Sequence, residues 1–285
     1  MAILYWTGTA ADGNWTNSAN WSTGAFPVTG DDVTLDRTSD DITLNLNQSA
    51  VLLSSLSITN SFQGTIGNIP DATDEFLQIG ATVVTIGDGT GNGSSRLNLE
   101  LGTDVTTINI INASSTGTDF PKAPLRINAN NASNVIQVNG NNSTVSFLDN
   151  TDDTGALGNI DIINGNDIQI GSGATYTSLT MIEGTCTSFE TSGTVKVSAG
   201  TMRLEGTGAI SSIIQTGGEL IWNSTGTVNS YDGIGGTLET TDSALARTIT
   251  TLTKSPGFTF NRNENVTVTN DNFNTDFAEF IISIT

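Results

Sequence analysis

Along this chain, apolar and polar residues alternate in many short runs. Ile42-Thr43-Leu44-Asn45-Leu46 is the first. Leu56-Ser57-Ile58, Phe76-Leu77-Gln78-Ile79, Leu97-Asn98-Leu99-Glu100-Leu101, Ile108-Asn109-Ile110, Leu125-Arg126-Ile127 and Ile136-Gln137-Val138 follow. Val145-Ser146-Phe147, Ile160-Asp161-Ile162, Ile168-Gln169-Ile170 and Val195-Lys196-Val197 continue the series. A period of two sends successive side chains to opposite faces of a strand, so each run predicts a strand with one face in a core. Gly and Asn turn signals separate the runs. No stretch of about 15 residues carries a helical period.

A looser repeat marks the C-terminal half. Gly193-Thr194-Val195 returns as Gly217-Gly218-Glu219-Leu220, and Gly200-Thr201-Met202 as Gly226-Thr227-Val228. Gly236-Thr237-Leu238 is a further copy. A period of about 20–30 residues with three strands in each predicts stacked coils whose strands form parallel sheets round a narrow apolar core. The expected fold is all-β, a right-handed parallel β-helix. Short Gly-separated strands also suit a β-sandwich or jelly roll, which stands as the alternative.

The two ends differ from the middle. Residues 1–40 hold Trp6, Trp15 and Trp21 among Asn and Gly, and are expected to form an N-terminal cap and docking segment. Residues 41–244 are expected to form the β-helix, and 245–285 a C-terminal β segment. In that segment Val266-Thr267-Val268 and Ile281-Ile282-Ser283-Ile284 read as strands, and Phe258, Phe260, Phe273, Phe277 and Phe280 are concentrated. Large rings at the start can cover the open end of a core. Tyr5, Trp6, Trp15 and Trp21 are therefore candidate partner contacts. An apolar end is poor material for solvent, so Phe273, Phe277, Phe280 and Ile282 are candidate subunit contacts.

Composition narrows the chemistry. Only 13% of residues are charged, and 29 Asp and Glu against 9 Lys and Arg leave a formal net charge of -20. Duplex nucleic acid is bound mainly by cationic side chains on phosphates, so nucleic acid is not an expected partner. There is no histidine, which removes Ser-His-Asp triads, His-ligated zinc and His-based acid catalysis. Cys186 is the only cysteine and is expected to be a small buried residue. The start, MAILYWTGTAADG, lacks the basic and apolar regions of a signal peptide, and nothing approaches the roughly 18 apolar residues of a membrane helix. The expectation is a soluble protein made in a cytoplasm, with no membrane partner.

Candidate sites are weak. Asp31-Asp32, Asp40-Asp41 and Asp152-Asp153 are neighbouring carboxylates, but adjacent strand positions face opposite ways, and Asp is an ordinary turn former. Gly87-Asp88-Gly89-Thr90-Gly91-Asn92-Gly93 lacks the tandem copies of a Ca²⁺ repeat and the Lys of a phosphate loop, so it reads as a turn. Arg96, Lys122, Arg126, Lys196, Arg203, Lys254 and Arg262 form no cluster in sequence. Trp222 and Tyr231 could stack on sugars or could be core residues. No catalytic, metal-ligating or cofactor-binding residue is assigned, and no enzyme is expected.

The segment Trp6…Trp15…Asn20-Trp21-Ser22…Pro27…Gly30-Asp31-Asp32-Val33…Leu35 resembles the module that opens many bacterial β-solenoid proteins of the autotransporter-passenger type. The Gly-Thr-Val and Gly-Gly-Glu-Leu repeats at 193–240 resemble their coil signature. The chain also looks like a virion protein of a tailed bacteriophage. That resemblance implies a homotrimeric capsid decoration (cement) protein, a structural protein on the virion surface whose partner is the major capsid protein. The alternative it implies is a tailspike, fibre or adhesin that binds, or hydrolyses, host surface polysaccharide.

Overall fold

The computed structural model describes all residues except 69–75, 90–95, 113–124, 149–153, 191, 241–244 and 274–285. The described chain is all-β. The strands of the first half are β1 (Ile3–Tyr5), β2 (Asp32–Leu35), β3 (Asn47–Ile58), β4 (Leu77–Ile86), β5 (Leu97–Glu100), β6 (Thr107–Ile111), β7 (Leu125–Asn128), β8 (Asn131–Phe147) and β9 (Gly155–Ile170). The second half adds β10 (Ala174–Met181), β11 (Thr185–Ser188), β12 (Thr194–Val197), β13 (Thr201–Leu204), β14 (Ile210–Gln215), β15 (Glu219–Trp222), β16 (Thr227–Glu239), β17 (Arg247–Asn261) and β18 (Val266–Phe273). One short 3₁₀ turn, Ser18–Asn20, is the helical element among the described residues.

Every pairing between these strands is parallel, and the pairings organise into two long ladders. In the first, the inward positions run Leu4, Val33, Leu56, Val84, Ile108, Ile136, Ile160, Leu179, Val195, Ile213, Tyr231 and Leu252, then reach Asp271. The second column of the same ladder runs Leu35, Ile58, Ile86, Ile110, Val138, Ile162, Met181 and Val197. The second ladder stacks Ile42, Ile66, Leu97, Leu125, Val145, Ile168, Cys186, Met202, Leu220 and Leu238. All of these apolar side chains are buried. Because the chain revisits each ladder in register, like packs on like, and one continuous core runs the length of the molecule.

A sandwich or jelly roll needs antiparallel ladders. The single antiparallel contact among the described residues is the Trp6–Trp21 bridge, so the alternative architecture is set aside.

The repeat differs from the sequence reading. Thr194 pairs with Ser212 and Ser212 with Ser230, while Thr201 pairs with Glu219 and Glu219 with Thr237. Each repeat is therefore shorter than the 193-to-217 and 200-to-226 spacings imply, and it holds two strands rather than three. The Gly-Thr signal precedes strands of both ladders, so matching Gly193 to Gly217 jumps from one ladder to the other. In the first half the steps are longer: Val83 pairs with Thr107, Thr107 with Val135 and Val135 with Asn159.

Two further expectations are corrected. Ile42–Leu46 makes only single bridges, at Ile42 and Leu44, because Asn45 turns the chain with φ 55°. Several runs that read as separate strands are one: β8 joins Ile136–Val138 to Val145–Phe147, and β9 joins Ile160–Ile162 to Ile168–Ile170. Each feeds both ladders, so the backbone stays extended round a corner between them. Strand pairing continues across residues 40 and 244, through β2–β3 and β16–β17.

Candidate functional site

The N-terminal segment folds around its three tryptophans. The Trp6 and Trp21 rings meet edge-on at 5.1 Å between centres, and Trp15 and Trp21 at 4.8 Å. The Trp21 indole N–H donates to the Trp15 carbonyl at 2.8 Å, and the Trp6 indole N–H to the Asp40 carbonyl at 3.2 Å. All three rings are buried, so they have no face left for a partner. This corrects their assignment as contact residues: the core consumed them. Tyr5 is different, 48% exposed, with Ile3, Phe26 and Val28 exposed near the same end.

That end is also blocked against strand addition. The Thr7 N–H donates to the Asn20 carbonyl, the Ser22 N–H to the Tyr5 carbonyl, and the Tyr5 N–H to the Ser22 hydroxyl. The loop therefore occupies the outer edge of β1, which would otherwise invite another strand. Asp12 fixes the loop: its carboxylate accepts from the side chains of Asn17 at 2.6 Å and Asn20 at 2.7 Å and from the Asn14 N–H at 3.1 Å. These bonds hold its carboxyl below the usual carboxylate range, Asn17 contributing most.

At the other end, β18 pairs with β17 on one edge only among the described residues. Its pattern decays from a buried Val266 to exposed positions, and Phe273 is 55% exposed. Phe277, Phe280 and Ile282 lie outside the described residues.

The remaining candidates serve packing. Asp31 accepts the N–H groups of Ala2 at 2.8 Å and Val28 at 3.1 Å, while Asp32 accepts the Ser55 hydroxyl at 2.6 Å. Asp40 accepts the Thr38 hydroxyl and Asp41 the Thr65 N–H, each at 2.7 Å. The two members of each pair face different partners. Asp152 and Asp153 lie outside the described residues. Gly87 and Gly89 both have positive φ, as a turn requires, and an added Cβ at Gly87 would strike the Ile111 carbonyl.

Trp222 and Tyr231 are fully buried and cannot stack on a sugar. The Trp222 indole N–H donates to the Ser224 hydroxyl at 2.6 Å, and the Arg247 guanidinium lies 5.4 Å from its ring centre. Arg247 also donates to the carbonyls of Thr240 and Leu245 at 3.2 Å each, and to that of Trp222. The Tyr231 hydroxyl donates to Gln215 Oε1 inside the core. Burial pushes the Cys186 thiol up to about 12, so it stays protonated and is a poor nucleophile near neutral pH.

Three shallow clefts lie on the surface of the described residues. One of about 270 Å³ includes Gln78, Glu100 and Asp104 in its wall, and one of about 190 Å³ lies beside the same turn, against Asn128 and Asn130. The third, about 380 Å³, is walled by Asp12, Asp40 and Asp41. Among the described residues no group of three or more His, Cys, Asp or Glu side chains is placed to hold a metal ion. No family model, curated protein or solved structure matches the chain.

What the arrangement offers is therefore surface. Arg126, Asn98 and Ser146 point outward from the second ladder yet are fully buried, with the Phe76 ring 4.7 Å over the Arg126 guanidinium. The outward positions of the first ladder have no such cover: along its length they are half-buried or exposed. Sequence reasoning missed this face. Its signal was present in the polar members of the alternating runs, which read only as the solvent side of each strand.

Proposed function

We propose that the chain is a right-handed parallel β-helix acting as a structural virion protein, a homotrimeric decoration (cement) protein that stabilises a phage head by contacts with the major capsid protein. The observation that carries the structural reading is the unbroken pair of parallel ladders. They absorb Cys186, Tyr231, Trp222 and Arg247 into packing and leave long, shallowly relieved faces. Parallel strands joined by crossovers are right-handed in about 98% of cases, which sets the proposed hand. The virion setting rests on the likeness of the chain as a whole, histidine-free and short for such a fold, to virion proteins of tailed bacteriophages.

Binding of host polysaccharide has less support, because the two aromatics suited to sugar stacking are in the core. Fold alone does not give function. The deciding experiment is cryo-electron microscopy of virions from the phage that encodes the chain, with mass spectrometry of purified heads. The expected result is density for this chain at trimer-like positions on the capsid lattice. Heads that lack it, or a location confined to the tail tip, would reject the proposal.

A further inference from the structure

We infer that the outer face of the first ladder is the surface through which copies of this chain associate. The inference rests on the oligomeric part of the proposal above and is independent of the capsid. Three observations converge on it.

The face is long and continuous. It starts at β1 and ends at β18, and its strands are in register throughout. Thirteen rungs spaced about 4.8 Å apart, each some four to five residues wide at about 3.3 Å, present on the order of 800 Å². A stable specific interface buries about 800 Å² from each partner. The face is large enough by itself.

It is also nearly neutral in a strongly acidic chain. The outward pairs from Asp32/Thr34 to Thr251/Thr253 hold four charged residues, Asp32, Asp161, Lys196 and Asp232. The whole chain carries -20. Two like-charged copies repel wherever acids face acids, and interface centres are poor in charge. The second ladder's outer face carries Arg126, Asp167, Arg203, Glu219 and Glu239 among its outward positions, so it is richer in charge, and part of it is already covered.

Finally, the face carries apolar side chains where strict alternation would place polar ones. Ile3 is 60% exposed and Val135 43%, and Val83 and Ile214 occupy the same outward rows. Between them lie mostly Ser, Thr and Asn, whose side chains are short. Copies of this face gathered about a threefold axis can meet closely, with hydroxyls pairing across the contacts and the apolar residues excluded from water.

The test is the mass of the purified full chain in solution, by light scattering after gel filtration. Wild type is expected as an oligomer of the 29.7 kDa protomer. Thr107→Glu with Ser178→Glu, both on this face, is expected to shift the mass to the protomer with an unchanged far-ultraviolet circular dichroism spectrum. Thr187→Glu with Thr201→Glu, outward on the second ladder, is expected to leave the oligomer intact. Should the first pair misfold, Val135→Cys supplies the one accessible thiol, since Cys186 is buried. A short bis-maleimide is then expected to link copies through it. An oligomer that survives the first pair, folded, overturns the face but not the oligomer. A monomeric wild type overturns both. Either result leaves capsid binding to the microscopy.

Discussion

Gln215 occupies a column in which the residues stacked before it, from Leu35 to Val197, are all aliphatic or Met. It follows Val197 and precedes Gly233. Its amide N–H groups donate to the carbonyls of Gly217 at 3.3 Å, Gly218 at 3.1 Å and Thr237 at 3.0 Å, and its carbonyl accepts the Tyr231 hydroxyl. A buried amide so satisfied costs little, whereas a half-satisfied one is expensive. Tyr231→Phe is therefore expected to destabilise the protein by about 1–3 kcal/mol, seen as a lower urea midpoint at unchanged m-value. Tyr231→Phe with Gln215→Leu is expected to recover none of that loss, because the carbonyls of Gly217, Gly218 and Thr237 then lose the Gln215 amide as donor. Equal stability of Tyr231→Phe and wild type would show that the hydroxyl is not needed. At the N-terminal end, the Asp12 carboxyl is held below its ordinary value, so the charged form is the one that stabilises the loop. That contribution is present above the usual carboxylate range and is lost as pH falls through the lowered value. Acid titration followed by tryptophan fluorescence is expected to show a cap transition that Asp12→Asn removes. Neither role was legible in the sequence. An isolated Tyr or Gln in an alternating run shows only that a strand is there. Whether it points inward depends on the register with the coils before and after it, and a one-residue slip reverses the answer.

The strands and the turns between them were easier to read than their period. Alternation located β3 to β9 and β12, because one face of each must meet the core, and left β1, β2, β10, β11 and β17 unmarked. It could not show that β8 and β9 run through a corner, since an extended corner carries no break in composition. The repeat length was hidden for a related reason: both ladders open their strands with Gly-Thr, and sequence alone does not say which ladder a copy belongs to. In the structure Gly184, Gly200, Gly218 and Gly236 form one column, all at positive φ. An added Cβ would lie 2.2 Å from the Gly184 carbonyl oxygen at Gly200, 2.7 Å from that of Gly200 at Gly218, and 2.4 Å from that of Gly218 at Gly236. The coils thus stack so closely at this corner that only glycine fits. Gly24 also has positive φ, but nothing lies within 4 Å of its added Cβ. Strain at a left-handed position is on the order of 1–3 kcal/mol for either substitution. Gly218→Ala is expected to cost more than Gly24→Ala, and the difference isolates the clash between coils. If denaturation curves put the two variants level, the column is not tightly stacked.

Taken as one body, the molecule must hold together under its own charge. Nine cations are too few to neutralise 29 acids, so the long-range sum is repulsive. Ion pairs along the coils are local: Arg203 with Glu205 at 3.2 Å and Lys254 with Asp271 at 2.7 Å, all four side chains at least partly exposed. Exposed pairs of this kind contribute about 0–1 kcal/mol. Salt weakens both the pairs and the repulsion, and the two effects oppose each other. The repulsion involves many more charges, spread over the whole chain. At about 10 mM salt the screening length is some 30 Å, enough for acids on different coils to act on one another; at about 150 mM it is about 8 Å. The expected outcome is a melting temperature that rises between these two concentrations at neutral pH, by either sodium chloride or potassium chloride. A fall would mean that the ion pairs outweigh the repulsion. The oligomer obeys the same balance, because copies bring like charge together wherever they meet. Self-association is therefore expected to strengthen over the same range of salt. An interface held mainly by cross-subunit ion pairs would weaken instead, and that outcome would point away from the near-neutral face of the first ladder.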